Sequence, residues 1–143
     1  MSSEQIIIIK VGTHILTANG SKLNRSLLSS LVEQLIGLKK NGFKPVLVSS
    51  GAVAAGKEVM DLSDKDETTT KKQIHAAVGQ ARLMHEYEKS FREHGVNVGQ
   101  ALLTRDDFKE RSRYDNALRT LKGLISNDIV PIINENDVVA VHE

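Results

Sequence analysis

Four consecutive isoleucines, Ile6 to Ile9, set the first limit on how this chain folds. β-branched side chains lose χ1 freedom in a helix but pack well on a pleated strand. An unbroken apolar run, rather than an alternating one, predicts a strand buried on both faces, as in a parallel sheet covered by helices. Lys10-Val11-Gly12-Thr13 follows at the carboxyl end of that strand. Three further segments read as strands: Pro45 to Val48, Val96 to Leu103, and Ile129 to Ile133. Pro45 belongs near the start of its strand, because proline cannot donate in the middle of a sheet.

Helical segments separate these strands. Asn24 is a plausible cap for a helix carrying Leu27, Leu28, Leu31, Val32, Leu35 and Ile36 at helical spacing, and Asn41-Gly42 stops it. Val53 to Met60 reads as a short helix. A long helix follows, with Ile74, Ala77, Val78, Ala81 and Met84 on its apolar face and Phe91 further along, and it ends at Gly95. Asn116 to Ser126 is a fourth helical stretch, with Leu118, Leu121 and Ile125 on one side. Residues Ala18 to Lys22 form a polar turn, Asp61 to Thr70 a polar stretch expected to be mobile, and Arg105 to Arg113 a solvated charged face. Strand alternating with helix predicts an α/β fold with a mainly parallel sheet and right-handed crossovers.

Composition narrows the function classes. A chain of 143 residues with 40% hydrophobic and 26% charged residues suits one soluble globular domain. A net charge of +1 and 3% aromatic residues predict neither a nucleic-acid nor a membrane partner. No apolar run approaches the roughly 20 residues that span a bilayer, and the segment before Ile6 lacks the features of a signal peptide, so a cytoplasmic protein is expected. There are no cysteines, which excludes disulfides and thiolate chemistry. His75, His85 and His94, three of the five histidines, lie in or near one helical region but none are four residues apart, so no zinc pair is expected.

Ligands of open α/β sheets bind outside the carboxyl ends of the strands. Three small polar segments share that rim if the strands are parallel: Lys10 to Thr13, Ser49 to Ala52, and Asn134 to Asp137. Lys10 either snorkels to solvent or fixes a cation beside phosphate, with Gly12 admitting close backbone approach and Thr13 adding a hydroxyl. Ser50-Gly51-Ala52 is either a capped strand-to-helix turn or a helix N-terminus that meets an anion. Ser50 is not set in a Gly-x-Ser-x-Gly elbow, which argues against a nucleophile. Asn134 to Asp137 forms a turn, binds a substrate ammonium through Asp137, or contributes to a metal site. Neither a P-loop nor a dinucleotide fingerprint is present in the sequence.

These segments resemble the amino acid kinase family, and within it the glutamate 5-kinase branch. The likeness rests on Ile9 to Thr13, on Val48 to Gly56 (Val-Ser-Ser-Gly-Ala-Val-Ala-Ala-Gly), and on Val130 to Asp137 (Val-Pro-Ile-Ile-Asn-Glu-Asn-Asp), with support from Ala76 to Gln80 and Gly99 to Thr104. It runs from Ile6 to Val141. It implies a three-layer α/β/α sandwich and ATP-dependent phosphorylation of the glutamate side-chain carboxylate, the first step toward proline. ATP is the implied co-substrate, magnesium its companion, and a homo-oligomer the implied assembly. By the same resemblance Lys10, Gly12 and Thr13 meet the ATP phosphates, with Lys10 catalytic. Ser50, Gly51, Ala52, Asn134 and Asp137 bind L-glutamate. His14 departs from the serine usual in that branch. Residues 1–143 correspond to the N-terminal, substrate-binding part of such a domain, without its nucleotide-binding part. The isolated chain is therefore expected to be inactive alone, or to act as a non-catalytic glutamate-binding or assembly fragment.

Overall fold

In the computed structural model, residues 5–18, 22–61, 69–103 and 110–135 are described. The elements in chain order are β1 (Gln5–Val11), α1 (Thr13–Leu16), β2 (Thr17–Ala18), β3 (Lys22–Leu23), α2 (Arg25–Lys40), β4 (Phe43–Ser49), α3 (Ala52–Val59), α4 (Thr69–Arg92), β5 (Asn97–Leu103), α5 (Arg111–Ser126) and β6 (Ile129–Glu135). The main sheet has the order β1-β4-β6-β5, and every pair in it is parallel. β2 and β3 form a small antiparallel pair beside it.

The order of the strands explains the layers. From β1 to β4 and from β4 to β5 the chain travels one way across the sheet, and from β5 to β6 it turns back. Right-handed crossovers put helices on opposite faces when the direction of travel reverses. Accordingly α2, α3 and α4 pack on one face, and α5 packs against β5 and β6 on the other. This is the expected α/β/α arrangement. The core lies on the first face, where Val11, Leu47, Val130 and Ile132 meet Leu28, Val32 and Leu35 of α2 and Leu83, Tyr87 and Phe91 of α4.

Local signals act where the sequence places them. The Asn24 side chain accepts from the Leu27 amide at 3.1 Å and caps α2. Gly42 and Gly95 adopt positive φ just past α2 and α4. Both prolines fall before the first paired residues of the β4–β6 seam, Leu47 and Ile132, so neither removes a donor from it.

Four expectations are corrected. Among the described strands β1 lies at the sheet edge, Ile6 and Ile8 are 46% and 67% exposed, and Ile7 and Ile9 are half-buried, so the isoleucine run is covered in part and on one face only. Strand propensity fixed the element, but its place in the sheet fixed the burial. In α4 the inward face carries His75, Ala76, Gly79, Leu83, Tyr87 and Phe91, while Ile74, Ala77 and Ala81 are exposed. Closeness of approach chose that face: Gly79 lets α4 touch the α3 backbone, and an apolar count cannot see this. β1 and β6 also run further than expected, so Lys10 and Asn134 lie within strands rather than after them. Finally, α5 begins at Arg111, inside the charged stretch, whose residues 110–113 are exposed as expected. Residues 19–21, 62–68, 104–109 and 136–143 lie outside the described set, and with them the turn at Gly20, most of the polar stretch after Asp61, and Asp137.

Candidate functional site

The parallel register brings three strand ends to one level. Val11 of β1 is paired with Ser49 of β4, and Ser49 with Asn134 of β6. After β4 the chain departs to one face of the sheet and after β5 to the other, with β6 between them. Open α/β sheets form their ligand crevice where such departures diverge. Gly12-Thr13, Ser50-Gly51-Ala52 and Asn134 are thus assembled on one rim.

Direct hydrogen bonds join the first two segments. The Ser50 amide donates to the Val11 carbonyl at 3.1 Å, and Ser50 Oγ donates to the same carbonyl at 3.2 Å. Thr13 Oγ1 donates to Ser50 Oγ at 3.1 Å. The Ile15 and Leu16 amides turn back onto the Gly12 carbonyl, and Thr17 Oγ1 donates to the Thr13 carbonyl at 2.7 Å. Gly12 has extended backbone angles, and no atom lies within 4 Å of where its Cβ would stand. Its value is open space above the backbone, not conformational freedom.

Gly51 is different. It holds φ 108°, a left-handed conformation that only glycine adopts at low cost. This sharp turn sends the chain from β4 straight into α3. Gly51, the N-cap of α3, has no side chain to cap it, and the first amide shown returning into the helix is that of Ala55, which donates to the Gly51 carbonyl at 3.0 Å. The amides of Ala52, Val53 and Ala54 therefore have no carbonyl within the helix, and they carry the positive end of its dipole.

Asn134 completes the rim. It is 1% exposed, yet neither Oδ1 nor Nδ2 has a hydrogen-bond partner among the described residues. Native structures leave few buried amides unsatisfied, and each one costs about 1–3 kcal/mol. Lys10 is exposed and lies one residue out of phase with Val11, so it belongs to the opposite sheet face, at the same end of the strand. The structure therefore groups Gly12, Thr13, Ser50, Gly51, Ala52 and Asn134, and sets Lys10 across the β1 edge from them. Among the described residues no three His, Asp or Glu side chains converge on a point that could hold a metal ion.

Behind the rim, Tyr87 is no candidate site residue in the sequence, and Ser49 belongs to the Ser49 to Ala52 segment without a role of its own. Ser49 Oγ donates to the Ser50 carbonyl at 2.8 Å and lies 2.8 Å from the Tyr87 hydroxyl. Burial pushes that phenol up to about 12, against the opposing pull of Ser49. The available signal was Tyr87 itself, one of two tyrosines in the chain, standing between Leu83 and Phe91 on the buried stripe of α4. A second cluster lies at the far end of α3, where Arg25 bridges Glu58 at 2.8 Å and Glu86 at 3.0 Å, and Glu58 also accepts from the Leu23 amide.

Comparison with known proteins agrees with this architecture. The chain is 49% identical over 143 residues to glutamate 5-kinase 2 of Pseudoalteromonas translucida (strain TAC 125), covering 100% of this chain and 39% of that protein. It is 46% identical, with the same coverage, to the glutamate 5-kinase of Escherichia coli O1:K1 / APEC. The chain thus spans well under half the length of these relatives. Among solved structures, the T. acidophilum isopentenyl phosphate kinase product complex superposes with a TM-score of 0.56 at 15% identity, over 90% of this chain and 54% of that one. That likeness concerns the fold alone. The profile of the Amino acid kinase family matches residues 5–143, and the chain belongs to that family.

Proposed function

We propose that this chain forms the substrate-binding part of an ATP-dependent kinase that phosphorylates the side-chain carboxylate of L-glutamate to gamma-glutamyl phosphate. The observation that carries this reading is the buried Asn134 amide, without a partner among the described residues, beside the glycine-headed N-terminus of α3. A ligand with both a carboxylate and hydrogen-bonding polar groups would satisfy the two together. The 46–49% identity to glutamate 5-kinases across the whole chain supports glutamate as that ligand.

The chemistry needs little from the protein beyond placement. A side-chain carboxylate with a pKa of about 4.3 is ionised at neutral pH and needs no general base. One of its oxygens forms the new bond to the γ-phosphorus of ATP as the bond to the bridging oxygen breaks, and ADP leaves with that electron pair. Catalysis then consists of alignment and charge neutralisation. The amides of Ala52, Val53 and Ala54 receive a substrate carboxylate, with Ser50, Gly51 and Asn134 lining the same pocket. Asp137, outside the described residues, binds the substrate ammonium. Gly12 and Thr13 face the phosphates, and Lys10 supplies the cation that neutralises them. Magnesium is expected to accompany the nucleotide. The described residues offer no cluster of three carboxylate or imidazole groups for it. A cytoplasmic setting, homo-oligomeric assembly and a place at the entry to proline synthesis belong to the same reading.

The test is an assay of the intact protein that follows ADP release and traps the acyl phosphate with hydroxylamine. Both signals should appear with glutamate and stay at background with aspartate or acetylglutamate. Lys10→Ala should lower turnover by roughly 10²-fold or more, the scale of losing one transition-state charge partner. Absence of glutamate-dependent ADP in the intact protein would refute the activity, and near-normal turnover in Lys10→Ala would refute the role of Lys10.

A further inference from the structure

The stripe of α4 that faces the sheet contains Leu83, Tyr87 and Phe91, all fully buried. Phenylalanine at position 87 would fill the same space without burying a hydroxyl. A buried hydroxyl is costly unless it is bonded, so its presence calls for a partner. The partner is Ser49, the last residue of β4, which immediately precedes the proposed carboxylate-receiving turn. Ser49 has one hydroxyl proton, and that proton goes to the Ser50 carbonyl. Tyr87 is therefore the donor to Ser49. A directional chain results: Tyr87 hydroxyl to Ser49 hydroxyl to Ser50 carbonyl.

We propose that Tyr87 is a positioning residue for the Ser50-Gly51-Ala52 turn, acting through Ser49 to fix the peptide that aims the head of α3 at its ligand. The peptide whose carbonyl Ser49 holds is the one linking Ser50 to Gly51. Its orientation governs the Gly51 amide and the left-handed turn into α3. From the other side, the Ser50 amide and hydroxyl are both held by the Val11 carbonyl. The turn is thus clamped between β1 and α4: a backbone amide anchors the β1 side, whereas the α4 side depends wholly on hydroxyls. Tyr87 does not touch the ligand. The inference rests on the proposed reading of this turn as the glutamate site.

The test compares Tyr87→Phe, Ser49→Ala and the double variant of the intact protein, with Phe91→Leu as a control that weakens the same core stripe. Tyr87→Phe should raise the KM for glutamate about fivefold, the effect of one hydrogen bond, with the KM for ATP unchanged and kcat within about twofold. The double variant should be no worse than the worse single one, because both remove the same chain of bonds. Phe91→Leu should lower Tm without moving either KM. A folded Tyr87→Phe with wild-type KM for glutamate would overturn the proposal, as would an equal KM shift in Phe91→Leu. If the wild-type protein does not phosphorylate glutamate, the functional reading fails and positioning is read without substrate. Amide exchange at Ser50 and Ala55 should then be faster in Tyr87→Phe than in Phe91→Leu, and equal rates would refute it.

Discussion

Gly79→Ala is the sharpest test of how this fold holds its site. Gly79 lies in α4 where it crosses α3, and a Cβ there would stand 1.8 Å from the Ala52 carbonyl oxygen and 2.3 Å from the Gly56 amide nitrogen. Those two atoms belong to the first full turn of α3, so the methyl group would drive into backbone rather than into a side chain that could swing away. Restoring a contact of 3.0 Å needs the helices to part by about 1.2 Å, and overpacking of this kind typically costs about 1–3 kcal/mol. Because both sides of the contact are backbone, the upper end applies. The helix-propensity gain of alanine over glycine returns about 1 kcal/mol, leaving a net loss of about 2 kcal/mol. Gly37, in α2, provides the control, since nothing lies within 4 Å of its would-be Cβ. Gly37→Ala should stabilise the chain by about 0.5–1 kcal/mol through propensity alone. Urea unfolding of both variants reads the contrast directly. On the proposed reading of the site, the KM of the intact protein for glutamate should rise in Gly79→Ala only, because Ala52 heads the helix there. Stabilisation of Gly79→Ala comparable to that of Gly37→Ala would refute the close-packing argument.

Further outcomes follow from the same geometry. Asn134→Leu replaces a buried amide that has no partner among the described residues with an apolar side chain of similar size, so it should raise stability by about 1 kcal/mol and, on the proposed reading, weaken glutamate binding at least tenfold, read by denaturation and calorimetry. Stability and binding falling together would show that Asn134 is bonded in the free protein. At Glu58, burial works to raise the carboxyl, but the hydrogen bonds from Arg25 and the Leu23 amide outweigh it and hold the group below its ordinary value of 4.5. A folded-state pKa below the unfolded one gives stability that is present above about pH 4.5 and lost as pH falls through the folded value. Glu58→Gln should therefore cost about 1 kcal/mol at pH 7, the difference between a charged and a neutral hydrogen bond, and flatten the acid limb of the stability profile. An unchanged acid limb in that variant would remove Glu58 from the account.

Much of this protein is legible in one dimension. The β-branched run Ile6 to Ile9, the Asn24 cap, the stop at Gly42 and the alternation of strand with helix determine the α/β class, because each depends on neighbours within a few residues. The same is true of the polar segments at Lys10 to Thr13 and Ser49 to Ala52, whose rim position follows once the strands are parallel. The tertiary structure alone decided the rest. Strand order made β1 an edge and exposed Ile8, a fact set by residues some forty positions away in β4. Close approach at Gly79 and Gly56 chose the buried face of α4, overriding the apolar stripe of Ile74, Ala77 and Ala81. Register put Asn134 level with Ser49 and left its amide without a partner among the described residues, and the depth of α4 brought the Tyr87 hydroxyl to within 2.8 Å of Ser49. Local chemistry is written in sequence spacing, but which groups lose water together depends on contacts that sequence spacing does not encode.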